Sequence, residues 1–301
     1  HPQHHRRRDL RAFHLPHRAR QGCKEGCKGQ RINYPDRKFN KIIVKCPFRV
    51  IMKWTLFINL YGLAVWRQKM KTVIGIVGGM GPMATVDLMT KLIRRTDAET
   101  DQAHAHIITD CNTNIPDRTA AILSGGADPL PELVRSCLRL EAAGAGVLIM
   151  ACNTAHYFYD RIQPFIRVPM LHMPNETGKK AAALGYKKCA LLATNGTVQA
   201  GIYDRAFESA GVELLKPDAE GQLAVMDMIY NGVKAGKTEY DTFAVCAAID
   251  RLKADGAEAF ILGCTELPIA FADYRIDAVT LDPTDVLAEA ALRAAGVKIK
   301  G

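Results

Sequence analysis

From Thr72 onward, short apolar runs alternate with longer amphipathic stretches, and this alternation constrains the fold more than any other feature of the sequence. The apolar runs predict strands over residues 72–77, 106–110, 146–151, 168–173, 189–194, 259–264 and 278–282. The amphipathic stretches predict helices over residues 82–96, 129–144, 176–185, 201–211, 220–236, 241–256 and 284–295. Apolar strands that alternate with helices predict an α/β fold with mostly parallel sheets covered on both faces.

One motif occurs twice in this pattern. An apolar run leads into MACNTAH at residues 150–156, and a later one leads into GCTELP at residues 263–268. In both, a predicted strand is followed by a cysteine, polar residues and a predicted helix. The repeat predicts two similar Rossmann-like lobes with four-stranded sheets that face each other. We expect residues 71–168 plus 283–299 to form the first lobe and residues 169–282 to form the second.

Charge separates the N-terminal segment from the rest of the chain. Residues 1–70 carry 17 Lys and Arg against 3 Asp and Glu, whereas the remaining residues carry 23 against 28. A basic arm could bind nucleic acid, but we interpret residues 1–69 as a basic tail outside the domain, either a start-site artefact or a disordered segment. Its apolar stretch, 54–66, is shorter than the ~20 residues that span a bilayer. We therefore predict a cytoplasmic protein with no membrane partner and no nucleic-acid partner.

The nine cysteines are scattered and odd in number, which argues against a disulfide framework. Cys23 and Cys27 lack a second ligand pair at zinc-finger spacing, so we predict no metal site there. For most of the other cysteines, the ordinary interpretation is a small buried hydrophobic residue.

Cys152 and Cys264 are different, because each lies where a predicted strand gives way to a helix. Ligands of open α/β sheets bind beyond the carboxyl ends of the strands, and a helix N-terminus favours a thiolate by lowering the pKa of the thiol. One such cysteine would usually be structural, but two in matching contexts indicate that both thiols act on one ligand, from opposite faces. This arrangement suits stereoinversion: one thiolate removes a proton from a carbon, and the opposite thiol returns one to the other face. No metal or organic cofactor is demanded if the site stabilises the carbanion electrostatically.

Three further segments supply candidate anion-binding groups. Arg118 in IPDRT could grip a carboxylate bidentately, or merely pair with Asp117 on the surface. The TNGT loop at 194–197 could bind a carboxylate or simply cap a helix. Lys234, near a predicted helix end, would by itself be interpreted as a solvated charge.

The glycine-rich stretch GIVGGMGPMAT, residues 75–85, does not have the spacing of a dinucleotide-binding fingerprint. We interpret it as a loop whose backbone, at Met80 and Gly81, approaches a small anion. His156, one helical turn after Cys152, would permit a Cys–His hydrolase, but no third orienting group is evident.

Taken together, these segments resemble the aspartate/glutamate racemase family, and most closely its aspartate racemase branch. The resemblance extends over residues 71–298, and its specificity lies in the combination of the two cysteine motifs with IPDRT. It is carried by KTVIGIVGGMGPMAT, IPDRTAAIL, MACNTAH, LLATNGTVQAGIYDRAF, IYNGVKAG, GCTELP and LDPTDVLAE.

The resemblance implies two lobes related by a pseudo-twofold axis, a site between them, a homodimer and catalysis without pyridoxal phosphate. It implies acid/base roles for Cys152 and Cys264 and substrate-holding roles for Arg118 and Lys234. Carboxylate contacts would come from Asn153, Thr154, Thr194, Gly196, Thr197 and Thr265, and Asn112 matches an asparagine before IPDRT. The tail of residues 1–69 has no counterpart in the family.

The function predicted from the sequence is interconversion of L- and D-aspartate by a two-base thiol mechanism. Glutamate or several amino acids are alternative substrates. A maleate isomerase or decarboxylase of the same superfamily is a different reaction class, and a decarboxylase needs a single active cysteine. A nucleotide- or nucleic-acid-binding protein is the alternative outside enzymes.

Overall fold

The computed structural model describes residues 71–300, and its first sheet contains three parallel strands. These are β1 (Ile74–Gly78), β2 (Ile107–Cys111) and β3 (Val147–Met150), in the order β2-β1-β3. β1 and β3 are buried at every position, as expected for parallel strands covered on both faces. The isolated parallel bridge between Leu148 and Met170 adds one further pairing beyond β3.

The second sheet is also parallel and has four strands in the order β5-β4-β6-β7. They are β4 (Lys188–Leu192), β5 (Glu213–Leu215), β6 (Ala259–Leu262) and β7 (Thr280–Leu281). The strand order repeats that of the first sheet, with the Met170 bridge in the place of β7. In this correspondence β3 matches β6, so the two strands that lead to Cys152 and Cys264 are equivalent.

Helices connect and cover the strands. They are α1 (Pro82–Arg95), α2 (Arg118–Leu123), α3 (Leu130–Ala142), α4 (Tyr159–Ile162), α5 (Met173–Ala183), α6 (Asn195–Ala200), α7 (Ile202–Ala210), α8 (Ala219–Asp227), α9 (Phe243–Ala254), α10 (Leu267–Asp273) and α11 (Pro283–Ala294). Single 3-10 turns cover Asp101–Ala103, Thr154–Phe158 and Gln163–Phe165, and a π-helical segment, Met228–Val233, extends α8. Within residues 71–300, no helix combines the length and the apolar character needed to cross a membrane.

Each sheet has a core on both faces. In the first sheet, α1 and α11 pack on the face that carries Ile74 and Ile149, while α3 packs on the face of Leu148. In the second sheet, α8 and α9 pack on the face of Leu262, and α7 packs on the face of Ile261. α11 thus follows β7 of the second sheet but packs on the first.

The α/β class with parallel sheets is confirmed, but three local predictions were wrong. Residues 168–173 form a single bridge and not a strand, because Pro169 has no N–H to donate and α5 begins at Met173. The first sheet therefore has three strands where four were predicted. The short strand β5 was missed, and the helix predicted over 220–236 changes to π geometry after Asp227. The lobe boundaries remain a prediction, and the tail of residues 1–69, with Cys23 and Cys27, lies outside the described residues.

Candidate active site

Cys152 and Cys264 line the same cavity. Each lies two residues beyond its strand, β3 or β6, and each is only 8% exposed. Because these strands hold equivalent positions in the two sheets, the sulfurs enter the cavity from matching places. The cavity measures about 50 Å³, and its walls comprise Met80, Asp117, Arg118, Thr119, Cys152, Asn153, Thr154, Thr194, Tyr230, Lys234, Gly263, Cys264, Thr265 and Glu266.

Cys264 is hydrogen-bonded to a carboxylate. Its Sγ donates to Oε2 of Glu266 over 2.9 Å, and the Thr265 hydroxyl donates to the same oxygen over 3.0 Å. Burial raises the pKa of the Cys264 thiol well above its ordinary value, and the negative charge and hydrogen bond of Glu266 raise it further. The sequence argument predicted a lowered pKa from the helix N-terminus. That direction was wrong for Cys264, because burial and the neighbouring carboxylate outweigh the helix.

Asn153, the residue after Cys152, presents an unpaired donor. Its Oδ1 accepts a hydrogen bond from the Tyr203 hydroxyl in α7. Its Nδ2 is buried, with no hydrogen-bond partner among residues 71–300. Buried polar groups without a partner are rare in proteins, so an amide donor that lines a cavity indicates a ligand with an acceptor oxygen.

A threonine cluster connects the end of the first sheet to the end of the second. The Thr154 hydroxyl lies 2.9 Å from that of Thr197, which lies 3.3 Å from that of Thr194. Thr154 and Thr194 line the cavity, whereas Thr197 does not. The Thr194 side chain also caps the N-terminus of α6. The TNGT loop therefore caps a helix and lines the cavity at the same time.

Arg118 begins α2 and holds the backbone around the cavity. Its Nη1 donates to the carbonyl of Pro116 over 3.0 Å, and its Nη2 donates to that of Met80 over 3.1 Å. Its Nε is buried and has no partner within residues 71–300. Asp117 does not pair with Arg118; its carboxylate accepts the backbone N–H of Ala120 and caps α2. The surface-pair alternative therefore does not describe Arg118.

Lys234 follows the π-helical segment and contacts two residues of the cavity wall. Its Nζ lies 4.3 Å from the centre of the Tyr230 ring and 3.9 Å from Oε1 of Glu266. Tyr230 and Glu266 were missed from the sequence. Their positions, four residues before Lys234 and two after Cys264, were the available signals.

Three predicted substrate contacts lie off the cavity wall besides Thr197. The side chain of Asn112 donates to Glu132 and Ser136, each over 3.1 Å. Its backbone packs so closely on Gly79, at φ 88°, that a Cβ there would lie 2.4 Å from the Asn112 carbonyl carbon. Asn112 thus supports the glycine loop from behind. Gly81 and Gly196 are likewise absent from the wall.

His156 is buried behind Cys152 and does not line the cavity. Its Nδ1 lies 2.8 Å from the carbonyl oxygen of Cys152, and burial lowers its pKa to about 3. A neutral imidazole that is hydrogen-bonded to the backbone carbonyl of Cys152, and not to its thiol, does not form the Cys–His pair of a hydrolase. Among residues 71–300, no three His, Cys, Asp or Glu side chains are grouped so as to hold a metal ion.

Comparison with known proteins gives a consistent family assignment. The family model for Asp/Glu/hydantoin racemases matches residues 77–291. A broad-specificity amino-acid racemase of Bacillus subtilis is 29% identical over 224 residues, which cover 72% of this chain and 95% of that protein.

Solved structures have the same fold. The aspartate racemase of Picrophilus torridus is 30% identical, with a TM-score of 0.65 over 76% of this chain and 96% of that one. An aspartate racemase homologue from Pyrococcus horikoshii is 25% identical, with a TM-score of 0.63 over 75% of this chain and 100% of that one. A glutamate racemase of Francisella tularensis, in complex with D-glutamate, is 14% identical and has a TM-score of 0.55 over 76% of this chain and 83% of that one.

Proposed function

Because the chain belongs to the Asp/Glu/hydantoin racemase family, we propose that it interconverts L- and D-aspartate, with Cys152 and Cys264 as the two catalytic acid/base residues. The observation that carries the proposal is that both sulfurs line one small cavity from equivalent positions of two sheets with the same strand order. Two groups that approach one ligand from matching strands suit a reaction that removes a proton from one face of a carbon and replaces it on the other.

In the proposed reaction, the thiolate of one cysteine takes the α-proton. The Cα–H bond breaks, an S–H bond forms, and the electron pair delocalises into the α-carboxylate. The thiol of the other cysteine then gives its proton to the opposite face of Cα, so its S–H bond breaks as the new C–H bond forms. The configuration is inverted, and the two sulfurs have exchanged protonation states. The mechanism calls for no metal and no organic cofactor.

The donors that lack partners are suited to holding the two carboxylates. A guanidinium has five N–H donors, and the backbone carbonyls leave Nε of Arg118 free within the described chain. Asn153 adds its amide N–H and Lys234 adds a positive charge. Developing negative charge on the α-carboxylate would be stabilised by these fixed donors. Thr154, Thr194 and Thr265 supply hydroxyls at the same wall.

Aspartate is the first candidate substrate, because an aspartate racemase and an aspartate racemase homologue are among the similar structures at 25% identity or more. A broad-specificity racemase is the second candidate, since such an enzyme is 29% identical over nearly its whole length. A substrate panel with aspartate, glutamate and neutral amino acids separates the two. Adding maleate and scoring decarboxylation tests the remaining reaction classes. We further propose a cytoplasmic homodimer, and light scattering of the purified protein tests its mass.

The deciding experiment follows L-aspartate in D₂O with metal-free, pyridoxal-free protein. The D-aspartate formed should carry one deuterium at Cα. Cys152→Ala and Cys264→Ala should each lower racemisation by about 10²- to 10⁴-fold, the usual contribution of a general acid or base. Cys111→Ala removes an exposed cysteine and serves as the matched control. Wild-type turnover in either cavity variant would contradict the two-base mechanism.

A further inference from the structure

The two cysteine motifs differ at the second residue after the cysteine. In the first motif this residue is Thr154, and in the second it is Glu266. Both line the cavity. At this pair of positions the site therefore has a carboxylate in the Cys264 motif and a neutral hydroxyl in the Cys152 motif. The other carboxylate of the wall, Asp117, accepts the backbone N–H of Ala120 and caps α2.

The contacts of Glu266 place its negative charge next to the sulfur of Cys264. Its Oε2 accepts hydrogen bonds from Sγ of Cys264 and from the Thr265 hydroxyl, while its Oε1 lies 3.9 Å from Nζ of Lys234. The Thr154 hydroxyl instead shares a hydrogen bond with the Thr197 hydroxyl. The two cysteines are thus equivalent in backbone position and different in electrostatic environment.

We propose that Glu266 is a positioning residue that keeps Cys264 in its thiol form, so that the resting enzyme presents Cys264 as the proton donor and Cys152 as the base. The inference rests on the proposed racemase function and deepens it, because it assigns the two cysteines different starting states.

The physical reason is the cost of two like charges in a buried place. A thiolate on Cys264, 2.9 Å from a carboxylate oxygen, would face a negative charge with little water to screen it. The thiol instead donates to the carboxylate. When Cys264 gives its proton to the substrate carbon, the charge left on sulfur is offset in part by the nearby Lys234. The resting enzyme can therefore react directly with the enantiomer whose Cα–H faces Cys152. The other enantiomer reacts only after Cys264 has lost its proton and Cys152 has gained one.

The test measures thiolate formation and needs no turnover. The full chain is alkylated with iodoacetamide over a pH range that brackets the ordinary thiol pKa of about 8.5, and the peptide containing Cys264 is quantified by mass spectrometry. In the wild type, the alkylation midpoint of Cys264 should lie above 8.5. In Glu266→Gln it should fall by about one pH unit or more, which is about tenfold more thiolate at a given pH below the midpoint. Glu266→Asp keeps the charge and should restore much of the upward shift.

Asp250→Asn is the matched control. It removes a carboxylate from α9, which covers the same sheet, and this carboxylate pairs with Lys253 and not with a cysteine. In Asp250→Asn the alkylation midpoint of Cys264 should stay at the wild-type value. A wild-type midpoint at or below 8.5 would overturn the inference, and so would an unchanged midpoint in folded Glu266→Gln. A wild-type midpoint at or below 8.5 overturns the inference even where the Gln variant does not fold. A midpoint above 8.5 is assigned to Glu266 only through its carboxylate-removing variant, because burial raises the midpoint as well. An inactive protein with the expected midpoints would contradict the racemase proposal alone.

Discussion

The hydroxyl of Tyr203 donates a hydrogen bond to Oδ1 of Asn153, and both side chains are buried. The bond joins α7, which covers the second sheet, to the residue that follows Cys152. It also fixes the orientation of the amide. With Oδ1 occupied by Tyr203, Nδ2 is the group left to contact a ligand, which explains how a neutral residue can present a directed donor to a carboxylate.

Removing that hydroxyl should loosen the site and cost stability. In Tyr203→Phe, Oδ1 of Asn153 is left buried without its donor, so the free energy of unfolding should fall by about 1–3 kcal/mol. The amide also loses its fixed orientation, and KM should rise about two- to tenfold, the equivalent of one ordinary hydrogen bond. Denaturant unfolding and racemisation kinetics measure the two effects. Tyr157→Phe removes an exposed hydroxyl and should change stability by less than about 0.5 kcal/mol. Equal stability of the two variants would contradict the structural role of this bond.

Arg118 should not tolerate a conservative exchange. Arg118→Lys keeps the charge but cannot hold the carbonyls of Met80 and Pro116 while offering a further N–H to substrate. Loss of a charge-assisted hydrogen bond should lower kcat/KM by roughly 10- to 150-fold, mainly through KM.

Arg161→Lys provides the comparison for Arg118→Lys, since Arg161 forms an exposed pair with Asp128. Exposed pairs contribute little, so its kinetics should match the wild type. Wild-type KM in Arg118→Lys would show that Arg118 only supports the loop.

Much of the fold and the central pair of the site could be predicted from periodicity and motif position. The apolar runs located the strands before Cys152 and Cys264, and a strand end implies a place at the carboxyl edge of a sheet. Side-chain direction beyond a strand end has no such periodic signal. Asn112 and Glu266 both lie in polar segments after strands, yet Asn112 turns towards Glu132 while Glu266 lines the cavity.

The remaining errors arose where packing or backbone chemistry overrides local pattern. The apolar run 168–173 has strand-like composition, but Pro169 and the start of α5 at Met173 limit it to one bridge. Tyr230 was not assigned to the site, because its spacing from Lys234 was a weak signal and the change from α to π geometry after Asp227 alters which residues share a face. The pKa of Cys264 depends on a tertiary contact with Glu266 and on burial, neither of which a helix-terminus argument includes.

The ring of Tyr230 should contribute through its face and not through its hydroxyl. A cation over an aromatic ring contributes about 0.5–1 kcal/mol at an exposed site, and Lys234 lies 4.3 Å from the ring centre. Tyr230→Phe should therefore keep KM near the wild-type value, whereas Tyr230→Leu should raise KM about two- to fivefold. The Phe variant serves as the control for the Leu variant. Equal KM values in both would indicate that the ring does not position Lys234.

His156 should make the protein acid-sensitive above the range where carboxylates titrate. Burial lowers its pKa to about 3 in the folded state, against 6.5 for the ordinary side chain. Below pH 6.5 the unfolded chain binds a proton that the folded chain does not, so stability is present above that pH and is lost as the pH falls towards the folded value. Between pH 7 and pH 5, one such histidine should remove about 2 kcal/mol from the free energy of unfolding.

His156→Asn isolates this contribution, because an Asn amide can still donate to the Cys152 carbonyl but does not titrate in this range. His172 lies edge-on to His156, and burial lowers its pKa as well, so both proteins should lose some stability on acidification. The wild type should lose about 2 kcal/mol more between pH 7 and pH 5, as measured by denaturant unfolding at each pH. His106→Asn removes an exposed histidine and should run parallel to the wild type. Parallel curves for wild type and His156→Asn would show that His156 keeps its ordinary pKa of 6.5 in the folded protein, contrary to the lowered value, and that below this pH it places a positive charge directly behind Cys152.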